Sequence, residues 1–311
     1  MVELAIRSEA LTYEHAPGVG AVDLDLAVPT GSVYGFLGPN GAGKSTAMRL
    51  LHGMVCPHRG DVDVLGLDPW GDAAELHGHI GVLASDQPAP RHHTGRSLLA
   101  LVARLRRRAD VVERGASLAE RLELNLDKHG HELSLGNRQK LGLVLALAHD
   151  PDLVILDEPT SGLDPLLQRE IRQLLREIAE TGRTVMLSSH SLPEVEAVAD
   201  VVGFIRDSRL VVQAPLADIA EHASRRVVLG FTDPVDTTRF DSLDGVDRVE
   251  VNDEGEVTVV FRGPVAAVLG VAAELDAQTI DAHPVDLEDT FLALYRGETT
   301  EHDTGNGEDV R

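Results

Sequence analysis

Residues 38–46 read Gly38-Pro39-Asn40-Gly41-Ala42-Gly43-Lys44-Ser45-Thr46. The glycines let the backbone curl until successive N–H groups converge, and those amides at a helix N-terminus make a nest for phosphate oxygens. Lys44 adds a mobile positive charge toward terminal phosphates, and the Ser45 hydroxyl can face Mg²⁺. A glycine turn holding Lys-Ser by chance is the plainer alternative, but an apolar run before the loop and a helical pattern after it favour phosphate binding.

A second cluster lies at residues 153–159, Leu-Val-Ile-Leu-Asp-Glu-Pro. Four apolar residues mark a buried strand, and two carboxylates emerge at its C-terminal end, the edge where open α/β sheets bind ligands. Asp157 is placed to hold Mg²⁺, and Glu158 to polarise an attacking water. Phosphoryl transfer is mostly positioning and charge stabilisation, so few groups suffice. Taken alone, an Asp-Glu pair is usually a solvated turn; beside a phosphate loop, the chemical reading wins.

Elements that could position these groups follow from hydrophobic periodicity. Val2–Ile6 and Ala21–Val28 alternate as half-buried strands do, and Ser32–Leu37, Asp152–Leu156, Thr184–Ser188 and Val201–Ile205 are short apolar runs typical of buried strands. Helical patterns cover Lys44 to His52, the stretch from Gly95 to Leu126, and Leu166–Glu180. Strands alternating with helices predict an α/β doubly wound sheet in residues 1–214, with a helical insertion at about 95–145. After Gln213 the character changes. Three strands (Arg226–Phe231, Val246–Val251, Glu256–Phe261), a helix over Pro264–Leu275 and a last helix near Leu287–Tyr295 predict a small α+β domain over 215–297. Residues 298–311 read as a disordered acidic tail.

Composition narrows the partners. Lys and Arg total 28 against 51 acidic residues, a net charge of −23, which argues against nucleic acid as a partner. Only Lys44, Lys128 and Lys140 are lysines. A surface screened by high internal salt and an Arg-favouring genome both fit this pattern. A single cysteine, Cys56, excludes an internal disulfide, and no apolar run approaches the ~18 residues of a spanning helix. The chain is expected to be soluble by itself, so a pore would have to come from another subunit.

The segment between the two clusters identifies a family. Residues 132–140, Glu-Leu-Ser-Leu-Gly-Asn-Arg-Gln-Lys, resemble the Leu-Ser-Gly-Gly-Gln signature of ATP-binding-cassette ATPases. Thr160-Ser161-Gly162-Leu163-Asp164 resembles the family's D-loop, and His190 in Ser-Ser-His its switch histidine. The resemblance covers about residues 2–215 and implies a P-loop NTPase fold, ATP and Mg²⁺ as ligands, and Glu158 and His190 as catalytic groups. It also implies a head-to-tail homodimer in which Ser134 and Gly136 face the γ-phosphate held by the other subunit. Leu135 and Asn137 depart from the common signature, which is expected to tune binding.

Two contacts stay open under this resemblance. The family's Q-loop acceptor follows Ile-Gly-x-x-x. Here Ile80-Gly81-Val82-Leu83-Ala84 leads to Ser85, and Gln87, the candidate Mg²⁺ ligand, comes two residues later. The adenine-stacking ring falls on His15, with Tyr13 two residues earlier as the alternative. His77, His79, His92, His93, His129 and His131 have no defined metal spacing. Arg104, Arg106, Arg107 and Arg108 read as a solvated face or as a docking surface for a membrane subunit.

Residues 286–296, Asp-Leu-Glu-Asp-Thr-Phe-Leu-Ala-Leu-Tyr-Arg, resemble the closing motif of daunorubicin-resistance-type exporter ATPases. That branch implies a separate integral membrane permease as partner and a cytoplasmic location, peripheral on the inner face of the membrane. The competing expectation is a soluble cassette ATPase acting outside transport. Such proteins usually carry two cassettes or a long coiled-coil insertion, and neither pattern is present.

Overall fold

A computed structural model describes residues 3–85, 90–222, 225–252 and 255–284. Contacts divide the chain into two units, Met1–Ala214 and Pro215–Arg311.

The first unit begins with an antiparallel layer. Strand β1 (Leu4–Ala16) pairs with β2 (Val19–Leu24), β3 (Ala27–Pro29) and, later in the chain, β5 (Arg59–Val64). The single strand expected over Ala21–Val28 is therefore two. The buried Ser8 hydroxyl sits at the break, donating to Leu24 O (2.8 Å) and accepting from Leu26 N–H (2.9 Å). It satisfies the two backbone groups that the interrupted ladder leaves behind.

The second layer is a six-stranded sheet. Strand β4 (Val33–Leu37) enters the phosphate loop and then α1 (Lys44–Leu51); α2 (Ala73–His79) leads into β6 (Ile80–Leu83). Helices α3 (Gly95–Arg106), α4 (Asp110–Arg121) and α5 (Leu135–Leu147) form the insertion before β7 (Leu153–Leu156). The unit closes with α6 (Pro165–Glu180), β8 (Thr184–Ser189), α7 (Leu192–Glu196), β9 (Val201–Arg206) and β10 (Arg209–Pro215). The strand order is β10-β9-β4-β8-β7-β6, with β9, β4, β8, β7 and β6 parallel. All five residues of β4 and all four of β7 are buried, as strands covered on both faces must be. The helical pattern from Gly95 to Leu126 is two helices: the chain breaks at Arg107 (φ 54°), and α3 and α4 then pack on each other, with Gly115 against Leu99.

α6 shows how local sequence sets an element. Asp164 Oδ1 accepts from the N–H groups of Leu166 (3.1 Å) and Leu167 (3.0 Å), and Pro165 occupies the first turn, where its missing N–H costs nothing. Leu167, Ile171, Leu174, Leu175 and Ile178 are buried along one face.

Two of the four arginines in the basic run are committed to the fold. Arg106 donates to Gly78 O (2.8 Å) and Ile80 O (3.3 Å), and Arg108 to His149 O (2.9 Å). Beside them His149 is buried, and its Nε2 bonds Ile80 O at 3.0 Å. A carbonyl only accepts, so Nε2 carries the proton, while Nδ1 has no hydrogen-bond partner. Burial, reinforced by the Arg106 charge, pushes the imidazole down to about 4. A histidine held neutral in the folded state contributes stability that is fully present above its unfolded value near 6.5 and is lost as pH falls toward 4. The loss at pH 4 is expected to reach about 3 kcal/mol. Chemical denaturation of His149→Gln between pH 7 and 4 checks this: its stability is expected to fall less steeply than the wild type's, and parallel curves would refute the assignment.

The second unit opens with α8 (Leu216–His222) and continues as β11 (Arg225–Gly230), α9 (Thr238–Asp241), β12 (Val246–Val251), β13 (Val257–Phe261), α10 (Ala266–Glu274) and β14 (Thr279–Pro284). The sheet order β12-β13-β11-β14, antiparallel throughout, makes β11 to β14 a ferredoxin-like βαββαβ unit. Val227, Leu229, Phe240, Val257, Val259, Phe261 and Val268 form its core. β14 has no counterpart in the strands expected from sequence. Its residues, Thr-Ile-Asp-Ala-His-Pro, are a short run ending in proline whose Ile280 is exposed, and pairing with β11 recruits it. The expected helix at 287–295, the motif at 286–296 and the tail at 298–311 lie outside the described residues.

Candidate functional site

The sheet order places β8 between β4 and β7, so the phosphate loop, residue 190 and the Asp157-Glu158 pair emerge from adjacent carboxyl ends. These ends form one side of a cleft of about 480 Å³. Of the sequence-derived site residues, Pro39, Asn40, Gly41, Gly43, Lys44, Ser45, Thr46, Glu158, His190 and His15 border it.

The loop depends on a close backbone approach. Gly43 has φ 104°, and a Cβ there would lie 1.8 Å from Gly20 O. Any other residue would push the loop off the β2 edge, which is why the chain can turn here into α1. Gly38 and Ala42 lie behind the cleft: Gly38 N–H donates to Ser189 O (3.2 Å), and Ala42 is buried in the core. Lys44 is itself buried. Its Nζ donates to Gly38 O (2.6 Å) and Pro39 O (3.2 Å) and stands 3.4 Å from Glu158 Oε1.

Glu158 is the hub of the acidic end. Its other carboxylate oxygen, Oε2, lies 2.9 Å from His190 Nδ1. Its N–H donates to Ser188 Oγ (2.9 Å), and its carbonyl accepts from Gln139 Nε2 (2.9 Å). Asp157 is buried one residue earlier, with Oδ1 accepting from the Ser188 hydroxyl at 2.6 Å. Ser189 and Thr160 both donate to Glu194 Oε2, at 2.8 and 3.1 Å, which ties the segment after Glu158 to the end of β8. Sequence reading did not single out Ser188, Glu194 or Gln139. Ser188 and Gln139 sit inside quoted motifs, but nothing in residue type tells which side chains turn back onto the backbone.

His15 reaches Thr46 Oγ1 at 3.3 Å and borders the cleft. Tyr13 is half-buried, its ring 4.9 Å from that of His15 and 4.6 Å from that of His58. Ser85 borders the cleft, whereas Gln87 lies outside the described residues. Ser134 caps α5, accepting from Asn137 N–H at 3.3 Å, and is exposed; Gly136 is packed near the Leu163 side chain. Neither borders the cleft that holds Lys44 and Glu158. Leu135 and Gln139, from the same turns of α5, do. Among the described residues no group of three or more His, Cys, Asp or Glu side chains is placed to hold a metal ion. His129 and His131 stack at 5.6 Å, and His131 Nδ1 is taken by Arg91 O at 2.7 Å.

A lysine, hydroxyls and convergent amides facing a carboxylate–imidazole pair can bind a polyphosphate and activate water at its end. The family profile described as "ABC transporter" matches residues 21–161. The bacitracin transport ATP-binding protein BcrA of Enterococcus faecalis is 34% identical over 223 residues, covering 70% of this chain and 72% of that protein. The Nod factor export ATP-binding protein I of Neorhizobium galegae is 32% identical over 296 residues, covering 94% and 85%. A solved ATP-binding subunit of an ABC transporter superposes with TM-score 0.65 at 25% identity, covering 70% of this chain and 92% of the other. A cassette solved as a dimer in a post-hydrolysis state with ADP and Pi superposes with TM-score 0.61 at 21% identity, covering 68% and 98%.

Proposed function

The chain belongs to the ATP-binding-cassette family of transporter ATPases, and on that premise we propose that it is the ATP-hydrolysing motor of an exporter, working through a separate membrane permease. The observation that carries this is Glu158 held between Lys44 and His190 at the carboxyl edge of the sheet. With ATP in the cleft, the loop amides and Lys44 bind the phosphates, His15 stacks on the base, and Glu158 draws a proton from the attacking water. His190 holds the Glu158 carboxylate through its Nδ1–H. Ser45 and Asp157 supply hard oxygen donors of the kind Mg²⁺ takes, and Ser188 fixes one oxygen of Asp157. A bound Mg²⁺ would neutralise phosphate charge there.

Ser134 and Gly136 point this chain toward a second copy. Neither lines its own chain's cleft, so both are available to complete the site of a partner in a head-to-tail dimer. A relative named for Nod factor export supports export as the direction, and it aligns over 94% of this chain, including the second unit. The motif at 286–296 favours the daunorubicin-resistance branch.

Among the described residues no helix is long and apolar enough to cross a membrane. A groove of about 770 Å³ beside β6 offers a permease contact, rimmed by Leu105 (74% exposed) and Met54 (66% exposed). Such a contact supports a position on the cytoplasmic face of the membrane, held there by the permease. Fractionation of the native host tests the reading. Wild-type chain is expected with the membranes, and Leu105→Glu in the soluble fraction with its purified ATPase activity intact. Wild-type protein found wholly in the soluble fraction would overturn the assignment to transport.

A further inference from the structure

Gln139 has a place in the cleft that neither the phosphate loop nor the signature explains. It lies two residues beyond Asn137 on α5, and its Nε2 donates to Glu158 O at 2.9 Å. A backbone carbonyl only accepts, so the amide nitrogen is the atom that faces it. Glu158 has φ 51°, a left-handed conformation that a β-carbon disfavours and that persists only where surroundings hold it. Three contacts hold it here. The Ser188 hydroxyl takes its N–H at 2.9 Å, Ser161 N–H donates to its carbonyl at 3.1 Å, and Gln139 donates to the same carbonyl from outside the strand-loop segment. Rotation of that peptide would swing the Glu158 carboxylate away from His190 Nδ1 and Lys44 Nζ, now 2.9 and 3.4 Å away.

We propose that Gln139 is a positioning residue for hydrolysis: its side chain locks the Glu158 peptide, and so the direction of the Glu158 carboxylate, to the helix that begins at Ser134. This rests on the reading that Glu158 activates water. Because Ser134 and Gly136 sit at the start of the same helix, one rigid element joins the residues offered to a partner's nucleotide with the group that acts on the chain's own. The side-chain contact of Gln139 is the Glu158 carbonyl, and it acts on the reaction through Glu158.

Gln139→Met keeps the length of the side chain and removes the donor. Misdirecting a catalytic group by a fraction of an ångström to an ångström costs rate without costing affinity. Steady-state ATPase assays are expected to show kcat lower by about 10- to 100-fold with KM within about twofold of wild type. Gln139→Ala, which also removes the donor, is expected to do the same. In the Glu158→Gln background Gln139→Met is expected to add no further loss in residual phosphate release, because two residues acting as one unit are not additive. Wild-type kcat in both Gln139 variants would overturn the proposal. So would a defect confined to KM, or losses that multiply in the double variant. Wild-type turnover by Glu158→Gln alone would instead defeat the catalytic reading of Glu158, so the two failures are told apart.

Discussion

Glu158→Gln is expected to bind ATP with near-normal affinity, to lose hydrolysis by about 10²–10⁴-fold, and to accumulate as an ATP-dependent dimer. The substitution preserves size and most hydrogen bonding, and it removes the basic oxygen that takes a proton from water. The phosphate-binding atoms of the loop and Lys44 are untouched, so the loss falls on kcat. If two subunits close around ATP and hydrolysis reopens them, blocking the chemical step traps the closed form. Light scattering with and without Mg-ATP reads the mass directly. Ser134 is exposed and does not line its own chain's cleft, so Ser134→Arg is expected to put bulk and charge into the site proposed for a partner. Added to Glu158→Gln, it is expected to return the protein to monomer. Wild-type turnover by Glu158→Gln would refute the catalytic assignment. A dimer indifferent to Ser134→Arg would show that this signature, with Leu135 and Asn137, does not complete the shared site.

Lys44→Ala strikes binding and chemistry together. The ammonium is buried, donates to two loop carbonyls and stands 3.4 Å from Glu158. Its removal takes away the cation that phosphates would meet and leaves Glu158 with a less balanced charge. Loss of one preorganised charged donor costs about 10²–10³ in rate. Nucleotide titration is expected to show weaker binding as well, which separates this variant from Glu158→Gln. Because Gly38 O and Pro39 O lose their donor, the melting temperature needs to be measured alongside. A Lys44→Ala protein that stays folded and hydrolyses ATP at the wild-type rate would place the site elsewhere.

The local chemistry of the cleft was legible in the chain because it is written in contiguous motifs. Residues 38–46 carry glycines where the loop takes positive φ (Gly41 82°, Gly43 104°), and residues 153–156 are an apolar run buried before the chain emerges at Asp157. Such segments carry their own backbone constraints, so type and spacing suffice. The pattern of α6 was legible for the same reason, with cap, proline and apolar face all within sixteen residues.

Other features were decided only when distant segments met. Ser8 interrupts a strand sixteen residues away, β14 forms because β11 offers it an open edge, and Arg106 turns from an apparently solvated run onto the carbonyls of residues 78 and 80. The joining of Gln139 and Ser188 on either side of Glu158 belongs to the same class. The phosphate loop, the acidic strand end and the alternation of strands and helices could be read along the chain, because backbone sterics and hydrophobic periodicity act over a few residues. The tertiary structure decided which carbonyls each polar side chain satisfies, and so how Glu158 is held, because a buried hydrogen bond is chosen by what the fold brings within 3 Å.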